Sequence, residues 1–203
     1  MTIGIKNKAD ITGKILDGRF VFTYKDEIFS IKPKTPTIHF LYDSLIAAAI
    51  GMEYGIKLID SIETIESFEP VKGRGRVVVS PKGVNIIDET YNANPVSMRE
   101  TLKALEQKEG RRFAVLADML ELGKNTKEIH ENLGLFISDL RLDGVFCFGE
   151  LSKNITDKCP LATHFDSIEE LTSVLNQKLK IGDWVLVKGS NSMNMIRVVE
   201  SIN

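Results

Sequence analysis

Three short, unbroken apolar runs constrain this chain most: "FAVLA" at 113–117, "VFCF" at 145–148 and "WVLV" at 184–187. A strand wetted on one face alternates apolar and polar residues, whereas a strand covered on both faces does not. These runs therefore predict strands of a parallel sheet with helices on each side. The segments between them have helical periodicity. Ile129, Leu133, Phe136 and Leu140 share one stripe, and Leu171, Val174 and Leu175 another. Helix starts are also legible. Asn94-Pro95 can serve as N-cap and first helical residue, and Asn125 with Glu128 and Ser167 with Glu170 have capping-box spacing. Strand and helix in regular alternation, joined by right-handed crossovers, predict a doubly wound α/β sheet.

The first part of the chain has a different rhythm. Residues 19–31, "RFVFTYKDEIFSI", alternate around a polar Lys25-Asp26-Glu27 centre and predict a hairpin. A Pro-rich stretch, "KPKTPTIH", leads into helical spacing at Leu41, Leu45, Ala48, Ala49 and Met52, and a second helix is predicted over Leu58 to Phe68. "EPVKGRGR" at 69–76 combines Pro, Gly and basic residues in the manner of a hinge, so the domain boundary is predicted there, giving domains 1–73 and 74–203. Strands at Val77–Val79 and Val84–Ile87, joined by "PKG", open the second domain.

Composition removes several function classes. With 203 residues, 43% of them hydrophobic, the chain can bury a real core, and a net charge of -2 gives no basic face for nucleic acid. No apolar run approaches the ~20 residues of a membrane span, and "MTIGIKNKAD" lacks the apolar core of a signal peptide, so a cytoplasmic address is expected. Cys147 and Cys159 form no CxxC and are expected as buried thiols. His39, His130 and His164 have no metal-ligand spacing and are expected to be structural. A GxGxxG after the first strand, a GxxxxGK[ST] loop and a GxSxG elbow are all missing from the sequence. An ordinary nucleotide-dependent oxidoreductase is disfavoured on the first of these grounds.

In an open α/β sheet, ligands bind beyond the carboxyl ends of the strands. Three polar clusters fall at such ends: "DETYNANP" after the strand ending at Ile87, "DMLELG" after Ala117, and "KGSNSM" after Val187. For any one of them a capped helix and a solvated loop would be explanation enough. Three in one domain point to a binding crevice.

At these clusters the sequence resembles the Mur ligases of peptidoglycan synthesis, in particular the dipeptide-adding type. The matching stretches are "FEPVKGR" (68–74), "IIDETYNANPVSM" (86–98), "VLADMLELG" (115–123), "EIHENLG" (128–134) and "VLVKGS" (185–190). Such enzymes have a UDP-sugar domain, a central ATPase domain with the P-loop and a C-terminal Rossmann-like domain. The resemblance implies that residues 1–73 are the end of the central domain and 74–203 the whole Rossmann-like one. It implies ATP and Mg2+ as cofactors, bound mainly upstream, and D-alanyl-D-alanine and UDP-MurNAc-tripeptide as substrates joined through an acyl phosphate. By the same resemblance Arg74 would reach the nucleotide phosphates and Glu89, where an Asp is usual, the ribose. Tyr91, Asn92 and Asn94 would line the dipeptide crevice, and Lys188 and Ser190, with the helix start after them, would seat its carboxylate. The sequence departs from the pattern at Phe40 and Asp43, where two Asn are usual and one reads adenine, and at Asn191, where Arg is usual. Asp118 and Glu121 match, either as ligand contacts or as loop-fixing groups. A non-catalytic binding module derived from such a ligase is the alternative. An in-frame GxxxxGK[ST] upstream would remove it.

Overall fold

The three apolar runs become adjacent or near-adjacent strands of one sheet. The computed structural model describes residues 1–34 and 37–202, so part of the Pro-rich stretch, residues 35 and 36, lies outside the described residues. The chain divides into two compact units, Met1–Pro70 and Val71–Asn203. The division falls at Pro70, ahead of the boundary expected after residue 73, because Gly73 and Gly75 are hydrogen-bonded to Asp88 of the second unit.

The first unit has four strands, β1 (Ile3–Gly4), β2 (Ile11–Leu16), β3 (Arg19–Tyr24) and β4 (Glu27–Ile31), in that spatial order. β1 runs parallel to β2, and the other pairs are antiparallel. The predicted hairpin is β3–β4, closed opposite Tyr24 and Glu27 with Lys25 at positive φ. An equally short Asp17-Gly18 turn joins β2 to β3, both residues at positive φ as a type I′ loop requires. Two helices, α1 (Ile38–Glu53) and α2 (Leu58–Ser67), cover one face. Phe20 and Phe22, two residues apart and so on the same side of β3, meet Leu41, Leu45, Ile62 and Ile65 there. Thr37 caps α1 by accepting from Phe40 N. Phe40 itself stacks on Phe68, ring centroids 5.5 Å apart, and is a partly buried side chain packed against this core.

The second unit carries β5 (Arg76–Val79), β6 (Asn85–Glu89), β7 (Arg112–Ala117), β8 (Gly144–Phe148), β9 (Ala162–Phe165) and β10 (Trp184–Lys188). Their order is β5-β6-β10-β7-β8-β9, parallel throughout except for the antiparallel edge strand β5. The helices are α3 (Pro95–Glu106), α4 (Thr126–Ser138), α5 (Lys153–Thr156), α6 (Ile168–Lys178) and α7 (Ile196–Ser201). Alternation along β7 shows why both faces are covered. Phe113, Val115 and Ala117 point to one layer with Leu171, Leu175 and Val198 of α6 and α7. Ala114 and Leu116 point to the other, with Met98, Leu102 and Leu133 of α3 and α4. Burying each such Leu or Phe contributes roughly 1.5–3 kcal/mol, so the two layers fix the sheet position of every strand end.

Some local expectations differ. β6 continues to Glu89 rather than stopping at Ile87, because Asp88 and Glu89 stay in register with Val187 and Lys188. Ser167 caps α6 by accepting from Glu170 N, as its spacing predicts. Asn125 makes no side-chain cap bond. It closes a tight 3-10 turn, Gly123–Asn125, at φ −94° and ψ 17°, away from the extended conformation a capping residue adopts. The apolar stripe of α4 is rotated: Leu133 and Ile137 are buried, and Ile129 and Phe136 pack at its margins. Cys147 and Cys159 are free and buried, and burial pushes the Cys147 thiol pKa up. No helix among the described residues is long and apolar enough to cross a membrane.

Candidate functional site

The chain leaving β6 turns to the α3 layer, and the chain leaving its neighbour β10 turns to the α7 layer. Adjacent strands whose connections part in this way leave a crevice at their carboxyl ends. The residues at the lips of that crevice are Glu89 and Lys188, which lie opposite each other in the ladder.

Lys188 is 1% exposed. Its Nζ donates to Glu89 Oε2 at 3.2 Å and to the carbonyl of Asn92 at 2.8 Å. Burial lowers the Lys188 pKa, and the Glu89 carboxylate opposes that shift. Two of the three ammonium donors thus join β6 to the following turn, and the third is what Lys188 would have for the substrate carboxylate expected there. The helix expected directly after "KGS" is different: a 3-10 turn, Asn191–Met193, precedes the six-residue α7. Ser190 is buried, with its Oγ accepting from Leu120 N at 2.9 Å and its N donating to Asp118 O. Asn191 is exposed beside it.

The turn between β6 and α3 is held from within. Asn92 Oδ1 accepts from Ala93 N at 2.8 Å, and Asn94 Oδ1 accepts from Ser97 N at 2.9 Å while Ser97 Oγ accepts from Asn94 N. Asn94 is thus the N-cap of a reciprocal capping box, with Pro95 at the first helical position. Replacing Asn94 by alanine is expected to cost about 1 kcal/mol of stability. Urea unfolding measures this, and a larger loss of ligand affinity than of stability would show that Asn94 also touches substrate.

Tyr91 is 48% exposed, and the Arg74 guanidinium lies 3.9 Å from its ring centroid. Two contact sets result, Arg74 with Tyr91 and Lys188 with Glu89 and Asn92, joined through the chain at the Tyr91–Asn92 peptide bond. Asp43 belongs to the first unit, on the exposed side of α1. The Asp118 carboxylate accepts from Ser152 N at 2.8 Å and Leu151 N at 3.2 Å, and Glu121 sits at φ 61° in the loop that follows. Asp118 is a loop-fixing group in this structure. His130 is fully buried. Its Nε2 accepts from Met119 N and its Nδ1 lies 2.7 Å from the Thr126 carbonyl, which puts the ring proton on Nδ1 and ties the "DMLELG" loop to α4. His164 is likewise bonded to the Gly149 carbonyl. Sequence reasoning gave no role to Asp88, a fully buried acid whose only outward signal was a charge inside an apolar strand.

Residues 73–191 match the domain family described as Mur ligase, glutamate ligase domain. The chain belongs to the Mur ligase family. Over 166 residues it is 35% identical to the UDP-N-acetylmuramoyl-tripeptide–D-alanyl-D-alanine ligase of Buchnera aphidicola subsp. Baizongia pistaciae, covering 81% of this chain and 36% of that protein. It is 27% identical over 172 residues to the Bacillus subtilis ligase of the same name, with 81% and 38% covered. The MurF ligase of Thermotoga maritima, solved in complex with ADP, aligns with a TM-score of 0.83 at 30% identity, over 98% of this chain and 47% of that one. This Mur ligase chain thus spans less than half the length of these relatives.

Proposed function

We propose that the chain is the acceptor-side portion of an ATP-dependent amide ligase of peptidoglycan synthesis, acting in the cytoplasm. It would join D-alanyl-D-alanine to UDP-MurNAc-tripeptide. ATP phosphorylates the tripeptide carboxylate, and the dipeptide amine attacks the acyl phosphate, releasing phosphate and forming the amide. The observation that carries this reading is the crevice between β6 and β10, rimmed by "DETYNAN" and "KGS", in a domain whose relatives bear that enzyme name. Within it Tyr91 offers an exposed ring and hydroxyl to the dipeptide, and Ser190 and Asn191 border its far side. Arg74 presents a planar fork of donors suited to phosphate oxygens.

On this reading magnesium and the nucleotide phosphates would be held mainly by the P-loop and metal ligands of the rest of the ligase; among the described residues no group of three or more His, Cys, Asp or Glu is set to hold an ion. Residues 1–70 read as the end of its central domain. Tyr42, Ile46 and Ile50, 45–54% exposed, run along the side of α1 opposite Leu41, Leu45 and Ala48. A helix apolar on both sides is built to be covered twice. On its own, the chain is expected to form no amide bond.

Calorimetric titration with D-alanyl-D-alanine and, as a control, L-alanyl-L-alanine tests the reading. The expected result is weak binding of the D,D isomer only, lost in Tyr91→Ala. Equal heats for both isomers, or binding untouched by Tyr91→Ala, would place the acceptor site elsewhere. Phe40 packed among aromatic rings, where an adenine-reading Asn is usual, favours a second reading as a ligand-binding module without ATP use. Adenine-nucleotide binding by the complete protein would exclude it.

A further inference from the structure

Asp88 is 1% exposed, and its side chain joins the segment before Arg74 to the chain just after β6. Its Oδ2 accepts from Gly73 N at 2.9 Å. Its Oδ1 accepts from Thr90 Oγ1 at 2.7 Å and Thr90 N at 3.3 Å. Its main-chain carbonyl accepts from Gly75 N at 2.8 Å, and Tyr91 N donates to Gly73 O at 3.1 Å. The residues on both sides of Arg74 are therefore fastened to the end of β6 through Asp88 and its near neighbours.

The backbone of this segment has little freedom left. Arg74 N donates to Val71 O at 3.1 Å, closing a turn with Gly73 at φ +84°, the third position of a type II turn, which demands glycine. A Cβ at Gly73 would stand 3.1 Å from both Cβ and N of Tyr91, so the turn lies directly against the residue whose ring receives Arg74. A surface arginine ordinarily samples many rotamers, and a ring contact alone fixes it weakly.

We propose that Asp88 is a positioning residue: it fastens the 71–75 turn to the end of β6 and thereby sets the Arg74 guanidinium on the Tyr91 ring as a preformed anion receptor. The purpose of the receptor rests on the nucleotide role proposed above for Arg74. The chemistry calls for a carboxylate at position 88. An ionised Asp accepts at both oxygens, whereas Asn keeps one acceptor and must turn its NH2 toward either the Gly73 N–H or the Thr90 N–H, losing that anchor; only the Thr90 hydroxyl can reverse and accept from it. Arg74 then belongs to the second unit, and a ligase using it would gain or lose a phosphate contact according to where that unit lies.

The test is hydrogen exchange and NMR on the intact chain. In Asp88→Ala, which removes both acceptor oxygens, the Gly73 and Tyr91 amides are expected to exchange about tenfold faster, the loss of the charge-assisted bond to Gly73 N. The Arg74 side-chain protons should lose the upfield shift that a ring beneath them causes, while amides of β7 and β10 keep their wild-type rates. Thr90→Val, which removes only the hydroxyl bond, should produce a smaller change at the same amides, so the outcome does not depend on one variant folding. An unchanged Gly73 amide together with an unchanged Arg74 shift overturns the proposal. So does equal acceleration throughout β7 and β10, which would make Asp88 a general stabiliser. The two readings stay apart because the exchange data decide whether Asp88 places Arg74 with no nucleotide present. The nucleotide role is read from Arg74→Ala in the complete ligase, where unchanged ATP-dependent activity would remove that role and leave the exchange result standing.

Discussion

Lys188→Ala is expected to lower the unfolding free energy of the second unit by about 3 kcal/mol, the low end of what breaking a buried ion pair costs. The figure stays low because the Glu89 side chain retains 23% exposure and regains some water when its partner leaves. Part of the loss comes from the Asn92 carbonyl, which loses the ammonium that holds the "YNAN" turn. A double replacement, Lys188→Met with Glu89→Leu, removes both charges together and is expected to lie within about 1.5 kcal/mol of wild type. Urea midpoints at constant slope give both numbers. A single variant unfolding at the wild-type midpoint would mean that the pair does not form in solution. Burial lowers the Lys188 pKa, so the unfolded chain holds that proton more tightly than the folded one. Stability should therefore rise with pH over the interval just below the ordinary value of 10.5, and that increment should vanish in Lys188→Met.

Gly149→Ala is expected to be about as damaging, near 3 kcal/mol, for a steric reason. Gly149 has φ +109°, and an added Cβ would lie 2.5 Å from Asp118 Oδ1 and 2.7 Å from Oδ2. Asp118 cannot move aside without losing the amides of Leu151 and Ser152, so overpacking adds to backbone strain. Gly123→Ala separates the two contributions. Its φ is +71° with open space where the Cβ would go, and it should cost only about 1 kcal/mol. Thermal unfolding of the pair makes the comparison. Similar losses in both would show that the close approach at Asp118 relaxes freely.

The parts of this structure legible in the sequence are those set by local pattern. "FAVLA", "VFCF" and "WVLV" were readable as doubly covered strands because burial on both faces leaves no polar alternation. Asn94-Pro95 was readable as a helix start because capping involves only neighbouring residues. The illegible parts depend on distant ones. β9, "ATHF", is a short edge strand with only Phe165 buried and no periodicity to mark it. Asn125 has the spacing of a cap, but the preceding Gly123 turn bends its backbone out of the capping conformation. The site was legible as a location and not as a wiring plan. Strand-end clusters named the crevice, yet nothing local to "KGS" revealed that its lysine would meet Glu89, ninety-nine positions away in the chain. The departure at Phe40 became intelligible as packing only once Phe68 was seen against it.

The strand order β5-β6-β10-β7-β8-β9 carries a consequence for biosynthesis. β6 and β7 do not pair with each other. Each pairs with β10, the last of this sheet's six strands in chain order. Until residues 184–188 emerge, the sheet exists as two separate pieces, with the facing edges of β6 and β7 open and apolar. Such edges are templates for pairing with other chains. Translation halted just before residue 184 would therefore release a product with an unfilled slot at the centre of this sheet, and one far more prone to aggregate than the five missing strand residues suggest.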